Sequence, residues 1–196
     1  MTEDTAMLAM FHVHTLLASV LLATIFLAVI HSDLQCRRIP NHLILKGLAL
    51  AWGIHGHAAW QSLPALSGNT WWAPAGGMLV GAAALMPLYL ARACGAGDLK
   101  LMAMVGAFVG PTTVLHAALY TLLAGGVLSL VWMLVQGVAV QTLQNVHVIV
   151  TDLIFRVRTG RSARLNPLTT TAARLPYAVA IAVGTCTALL QQHGAT

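Results

Sequence analysis

Apolar residues in this chain come in runs too long for a strand and too uniformly apolar for a surface helix, separated by short polar joints. A helix rising ~1.5 Å per residue needs ~20 mostly apolar residues to cross a hydrocarbon layer of ~30 Å. Met7 to Ile30 has that length behind a short acidic tail with Glu3 and Asp4, and His42 to Trp60, Pro74 to Ala91 and Leu99 to about Val140 follow. The last of these is long enough for two crossings. Its break is expected at Gly110-Pro111-Thr112-Thr113, because proline lacks a backbone donor and Gly-Pro is a strong turn signal. Leu175 to Leu190 supplies a final run. The pattern predicts an all-α, polytopic membrane protein of about six transmembrane helices, with residues 1–196 forming one transmembrane domain. The flanks of the first run have the reverse of a signal peptide's charge order, so it is read as part of the mature chain.

The one long polar segment runs from Gln141 to Arg174. Leu143, Val146, Val150, Leu153, Ile154 and Val157 recur in it at helical spacing, and Arg156, Arg158, Arg161 and Arg164 cluster at and beyond its end. Two readings stand: an amphipathic helix lying on an anionic leaflet, or a cytoplasmic extension of the fifth helix.

Composition agrees with lipid as solvent. Of 196 residues 58% are hydrophobic and 8% charged, with a mean hydropathy of +0.80, against ~25% charged in soluble domains. A soluble globular enzyme and a disordered tail are both excluded. The net charge of +5 is read as topology, not as a nucleic-acid footprint. Arg37, Arg38, Lys46, Arg92, Lys100, the four arginines above and Arg174 all belong to one side, which the positive-inside rule makes cytoplasmic. Both termini then face outward. Trp60, Trp71 and Trp72 mark the opposite interface, where His55 and His57 are read as interfacial histidines. Gly76, Gly77, Gly81, Gly125 and Gly126 are read as helix-packing positions. Cys36, Cys94 and Cys186 are three single cysteines with no C-x-x-C, so no disulfide framework, metal site or cofactor is expected.

After the acidic tail only Asp33, Asp98 and Asp152 remain as acids. Asp33 closes the first crossing and Asp98 opens the fourth, and with two crossings between them parity puts both on one side. If the fourth helix runs from Leu99 to Gly110, it rises only ~18 Å, which sets Asp98 within the lipid zone in a pocket reached by cytoplasmic water. An ionisable group at that depth is costly, and by default a functional candidate. Two carboxylates brought together in a low-dielectric site do not both ionise readily. One then serves as base toward water while the protonated partner supports the oxyanion of a peptide carbonyl, the chemistry of an aspartic protease. Gly95 and Gly97 are expected to allow positive φ and close approach of an extended peptide. Plainer readings compete: Asp98 caps its helix, Asp33 pairs with Arg37 or Arg38, Lys46 and Lys100 are snorkelling cations, and Ile39-Pro40-Asn41 only starts the second helix.

Asp33 followed by Ile39-Pro40-Asn41, and then Gly95-Ala96-Gly97-Asp98-Leu99-Lys100 at a matching helix end, resembles the type IV prepilin peptidases, polytopic aspartic proteases of the G-x-G-D class. Leu175-Pro176-Tyr177-Ala178-Val179-Ala180-Ile181 is similar to the Pro-Tyr segment that opens the last helix in the short, tight-adherence (Flp pilus) branch. The resemblance spans roughly Met7 to Leu190. It implies an inner-membrane endopeptidase that removes the leader of prepilins or pseudopilins on the cytoplasmic side, just before the substrate's apolar helix and often after a glycine. It makes Asp33 and Asp98 catalytic, with Gly95, Gly97, Lys100, Pro40 and Asn41 shaping the loop or binding substrate. Bifunctional members carry paired C-x-x-C motifs in an insertion and also methylate the new N-terminus. The short first loop and single cysteines here speak against that second activity. The alternative is a non-enzymatic transport or pilus-assembly subunit whose two aspartates relay protons or hold helices together.

Overall fold

In lipid the backbone N–H and C=O groups find partners only in each other, and helices satisfy them within one segment. The computed structural model describes residues 3–36, 38–61, 72–91, 93–137, 151 and 177–194, and the ordered elements among them are all helices. They are α1 (Glu3–Cys36), α2 (Asn41–Trp60), α3 (Ala73–Leu90), α4 (Ala96–Val135) and α5 (Tyr177–Gly194). The segments Val13–Cys36, Ala73–Leu90 and Ala96–Val135 are long and apolar enough to cross a bilayer, and Tyr177–Gln192 is a shorter apolar helix. α2 has 20 residues but carries Lys46, His42, His55 and His57, which lower its hydropathy. Leu16, Val20, Leu27, Leu79, Leu123 and Val127 are exposed on this scaffold. So many outward-facing large apolar side chains suit a lipid solvent better than water.

The break expected at Gly110-Pro111 is present inside α4. Gly110 adopts φ 83° and ψ 173° while both flanking arms stay helical. Proline needs no donor at the start of the second arm, and glycine alone tolerates the backbone conformation at the joint. The first arm is enclosed almost all round: Leu101 to Gly110 are buried apart from half-buried Ala103. Its backbone lies directly on α3. A Cβ at Gly77 would fall on the carbonyl of Gly106, and one at Gly81 would lie 2.5 Å from the Met102 carbonyl oxygen. Small residues bring membrane helices into this kind of contact. Gly184 of α5 packs in the same way on Thr121 and Ala117 of the second arm. Gly77, Gly81 and Gly125 are thus packing positions as expected. Gly126 is not, since a side chain there would meet nothing, and Gly76 faces only the Trp72 ring.

α1 packs against α2 and α5, and α2 against α3. Leu22, Ile25, Phe26 and Val29 of α1, Ile44 and Ala51 of α2, Leu85 of α3, the first arm of α4, and Ala178 and Ile181 of α5 share one core. Near the top of the second arm, Thr113 Oγ1 donates to Gln192 Oε1 at 3.2 Å, and the Tyr120 hydroxyl donates to Gln191. The chain divides into two compact units, Met1–Gly125 with Pro176–Thr196, and Gly126–Leu175. In the second unit the helix ends with the Gly137 N–H donating to the Leu134 carbonyl at 3.2 Å and with Gly137 at φ 67°. The amphipathic segment and its arginines lie outside the described residues, except for Thr151.

Candidate active site

Asp33 lies in the last turn of α1 and is half-buried. Past the end of that helix the Ser32 hydroxyl donates to the Arg38 carbonyl at 3.1 Å, which draws the chain back toward α1. Pro40, at φ −68° and ψ 130°, forms the N-cap of α2, and its carbonyl accepts the Leu43 N–H at 3.1 Å. Ile39-Pro40-Asn41 therefore does start a helix, as its plainer reading held, and it also contributes side-chain contacts to the site. Asp33 Oδ2 accepts a long hydrogen bond, 3.4 Å, from the backbone N–H of Ala178 in the first turn of α5.

Asp98 lies in the first turn of α4, also half-buried. Its Oδ2 accepts the Gly95 N–H at 2.9 Å, and the Asp98 and Leu99 N–H groups donate to the Gly95 carbonyl at 3.1 and 3.3 Å. This reciprocal arrangement closes a helix start in the manner of a capping box. The capping reading of Asp98 is correct, but it accounts for only part of the residue's surroundings. The segment that follows Asp33 lies against the start of α4 through Ile39 and Asn41. Among the described residues each acid engages only Oδ2 in a hydrogen bond, and neither forms a salt bridge. Pairing of Asp33 with Arg38 is thus not what holds it, and Arg37 lies outside the described residues.

Two contacts join the motifs that carry these acids. Lys100 Nζ donates to Asn41 Oδ1 at 3.0 Å. Ile39 lies over Gly97 so closely that a Cβ there would meet the Ile39 Cβ at 3.2 Å. Lys100 is therefore tied to the first motif and is not a free snorkelling cation. The expectation of positive φ at Gly95 and Gly97 is overturned: among the described residues only Gly110 and Gly137 have it. Gly97 is inside α4, where ordinary helical geometry serves, and Gly95 lies just before the helix without positive φ. Close approach is what Gly97 provides, with Ile39 as the neighbour.

Cys94 and Tyr177 border the acids. Burial pushes the Cys94 thiol up, and the Asp98 charge adds to this. A thiol so placed stays protonated and is a poor nucleophile. The Cys94 thiol lies 3.9 Å from the Leu85 carbonyl oxygen, and all three cysteines are free. The Tyr177 ring sits against Gly125 of α4. The sequence marked the segment around Tyr177, but no residue type could have indicated the Ala178 donor, which is a backbone amide. His31 and His42 are exposed. His55, expected at an interface, is buried with Nδ1 2.7 Å from the Ala51 carbonyl oxygen, and His57 stacks on His14 with ring centroids 5.1 Å apart.

Fold and site define a class: an all-helical protein with bilayer-length apolar helices and a pair of carboxylates at helix ends. The sequence profile of the type IV leader peptidase family matches residues 18–130, more than half of the chain and both aspartates. The chain belongs to that family, and membership implies peptidase activity of the aspartic type. No curated protein and no solved structure matches it.

Proposed function

We propose that this protein cleaves the leader peptide from type IV, Flp-like prepilins or pseudopilins at the cytoplasmic face of the inner membrane, with Asp33 and Asp98 as its catalytic pair. The observation that carries the reading is the meeting of two remote motifs: Ile39 covers Gly97 and Asn41 accepts from Lys100. Six crossings accommodate this, with α1, α2, α3, the two arms of α4, and α5 each passing the bilayer once. Both acids then open toward the side where the cations of the loops lie.

The chemistry needs one proton shared by the pair. The ionised carboxylate takes a proton from water as its oxygen bonds to the scissile carbonyl carbon. The protonated carboxyl gives its proton to the carbonyl oxygen. Collapse of the tetrahedral intermediate breaks the C–N bond: the carboxyl that took the water proton gives it to the amine nitrogen, and a diol hydroxyl gives its proton to the other carboxylate as the product carbonyl re-forms, which returns the pair to its singly protonated state. In the half-buried setting of both acids, their repulsion is screened less than in water, which favours single protonation.

The test uses full-length protein in vesicles with a synthetic substrate: a basic leader, a glycine at the cut and an apolar helix. Asp33→Asn and Asp98→Asn each lower cleavage by at least ~100-fold while the protein still inserts and unfolds normally. The wild-type pH profile is bell-shaped: acid protonates the base, and alkali ionises the acid. Native-rate cleavage by either variant rules out the pair.

A further inference from the structure

Asp33 lies in the last turn of α1, where the final carbonyls of a helix lack intrahelical donors and the chain is free to leave in many directions. Its neighbour Ser32 sets the direction. The Ser32 hydroxyl donates to the Arg38 carbonyl at 3.1 Å, six positions on, before α2 begins at Asn41. The next residue, Ile39, lies on Gly97 of α4: a Cβ at 97 would be 3.2 Å from Ile39 Cβ and 3.5 Å from its Cγ1 and Cδ1. Ile39 is half-buried and also packs on the apolar core. The nearest of its atoms is the Cβ, which moves only with its backbone, and a β-branched side chain is stiff at χ1. The contact is therefore a firm stop. Gly97 is followed at once by Asp98. Asp33 and Asp98 thus adjoin the two ends of one short path, from Ser32 to Arg38 by a hydrogen bond and from Ile39 to Gly97 by van der Waals contact. The cleavage chemistry above gives neither Ser32 nor Ile39 a task.

We propose that Ser32 and Ile39 are positioning residues of the acid pair, the two fastenings of a strap that runs from the end of α1 onto the start of α4 and sets the separation of the carboxylates. Ser32 fixes where the strap leaves α1, and Ile39 fixes where it lands. Both act through the backbone they hold and not by contact with the scissile peptide. Reacting groups need close placement, so a slack strap costs rate before it costs stability. The inference rests on the peptidase reading, and its test keeps the two apart.

Full-length protein in vesicles is assayed with the same leader–glycine–helix peptide. In parallel, an Asp33→Cys/Asp98→Cys protein lacking the native cysteines is treated with a short bifunctional thiol reagent, and the rate at which the two positions become bridged is followed by mass spectrometry without substrate. Ser32→Ala and Ile39→Ala are placed in both backgrounds. Each is expected to lower kcat roughly tenfold with KM within about twofold, and to slow bridging at least ~threefold. Ser32→Thr keeps the hydroxyl and Ile39→Val keeps the branched Cβ, so both stay within about twofold of their parent in each assay. Unchanged kcat and bridging in Ser32→Ala and Ile39→Ala overturn the strap and leave the peptidase reading standing. A fall in kcat with bridging unmoved marks an effect on something other than the separation of the acids and overturns it as well. Wild-type protein that cuts no such peptide, while bridging still slows in both alanine variants, overturns the peptidase reading and supports the strap. Positions 33 and 98 that never bridge in the parent protein overturn both.

Discussion

Lys100 and Asn41 are separated by 59 positions and meet at 3.0 Å on an exposed edge of the site. A bond so exposed adds little to global stability, since water competes for both partners. Its effect is local, fixing the start of α2 against the start of α4, and with them the Ile39–Gly97 contact between the acids' motifs. Lys100→Met and Asn41→Leu are each expected to slow cleavage several-fold while unfolding curves barely move. The double variant is no slower than the worse single variant, as for two halves of one contact. Fully multiplied losses in a kinetic double-mutant cycle show that the residues act separately. At this scale the sequence displayed both acids, because a carboxylate in an apolar chain stands out by chemistry alone. It concealed their holders. A backbone amide such as Ala178 has no signature, and Lys100 carries no mark of whether it faces solvent or a partner.

At the level of elements the joint within α4 sets the length of the arm in whose first turn Asp98 lies. Twelve residues from Leu99 to Gly110 rise ~18 Å, and the burial of Leu101 to Gly110 encloses that arm in protein. The arm holds its place through the glycine-only backbone of Gly110 and the bare contact of Gly106 with Gly77. Gly110→Ala is expected to destabilise by about 1–3 kcal/mol, the cost of a side chain in that conformational region. Gly126→Ala is the opposite case: helical backbone, open space around the new methyl, and an expected gain of roughly 0.5–1 kcal/mol from helix propensity. Thermal unfolding in one detergent compares them directly, and equal shifts in the same direction contradict this account of the joint. The position of the joint was readable, because Gly-Pro interrupts an otherwise continuous run. The helix faces were not. Leu22 is buried and Leu27 is 70% exposed within one helix, yet both are leucines, because lipid and core ask for the same apolar surface. The amphipathic period that reveals the inner face of a soluble helix is erased here.

For the whole molecule, the proposed orientation places the ends of α1 and α2 in different aqueous compartments, and the cysteines offer a direct measure. Cys36 is exposed at the end of α1 that carries Asp33, and Cys186 is exposed ~14 Å along α5 from Tyr177. Gln61 is exposed just past the far end of α2. A protein retaining Cys36 alone is expected to react with a charged maleimide only from the cytoplasmic side of oriented membrane vesicles. A Gln61→Cys protein lacking the native cysteines reacts only from the other side. On the proposed six-crossing topology, which sets the exposed face of Cys186 against acyl chains, Cys186 alone is expected to resist the charged reagent from both sides and to react with an uncharged one. The sign of this result bears on substrate as well as topology. On the proposed function, a leader carrying basic residues approaches the pair from the compartment in which Cys36 reacts. Labelling of Cys36 from the outward side therefore removes the cytoplasmic prepilin as substrate even if the acid pair cuts peptides in solution.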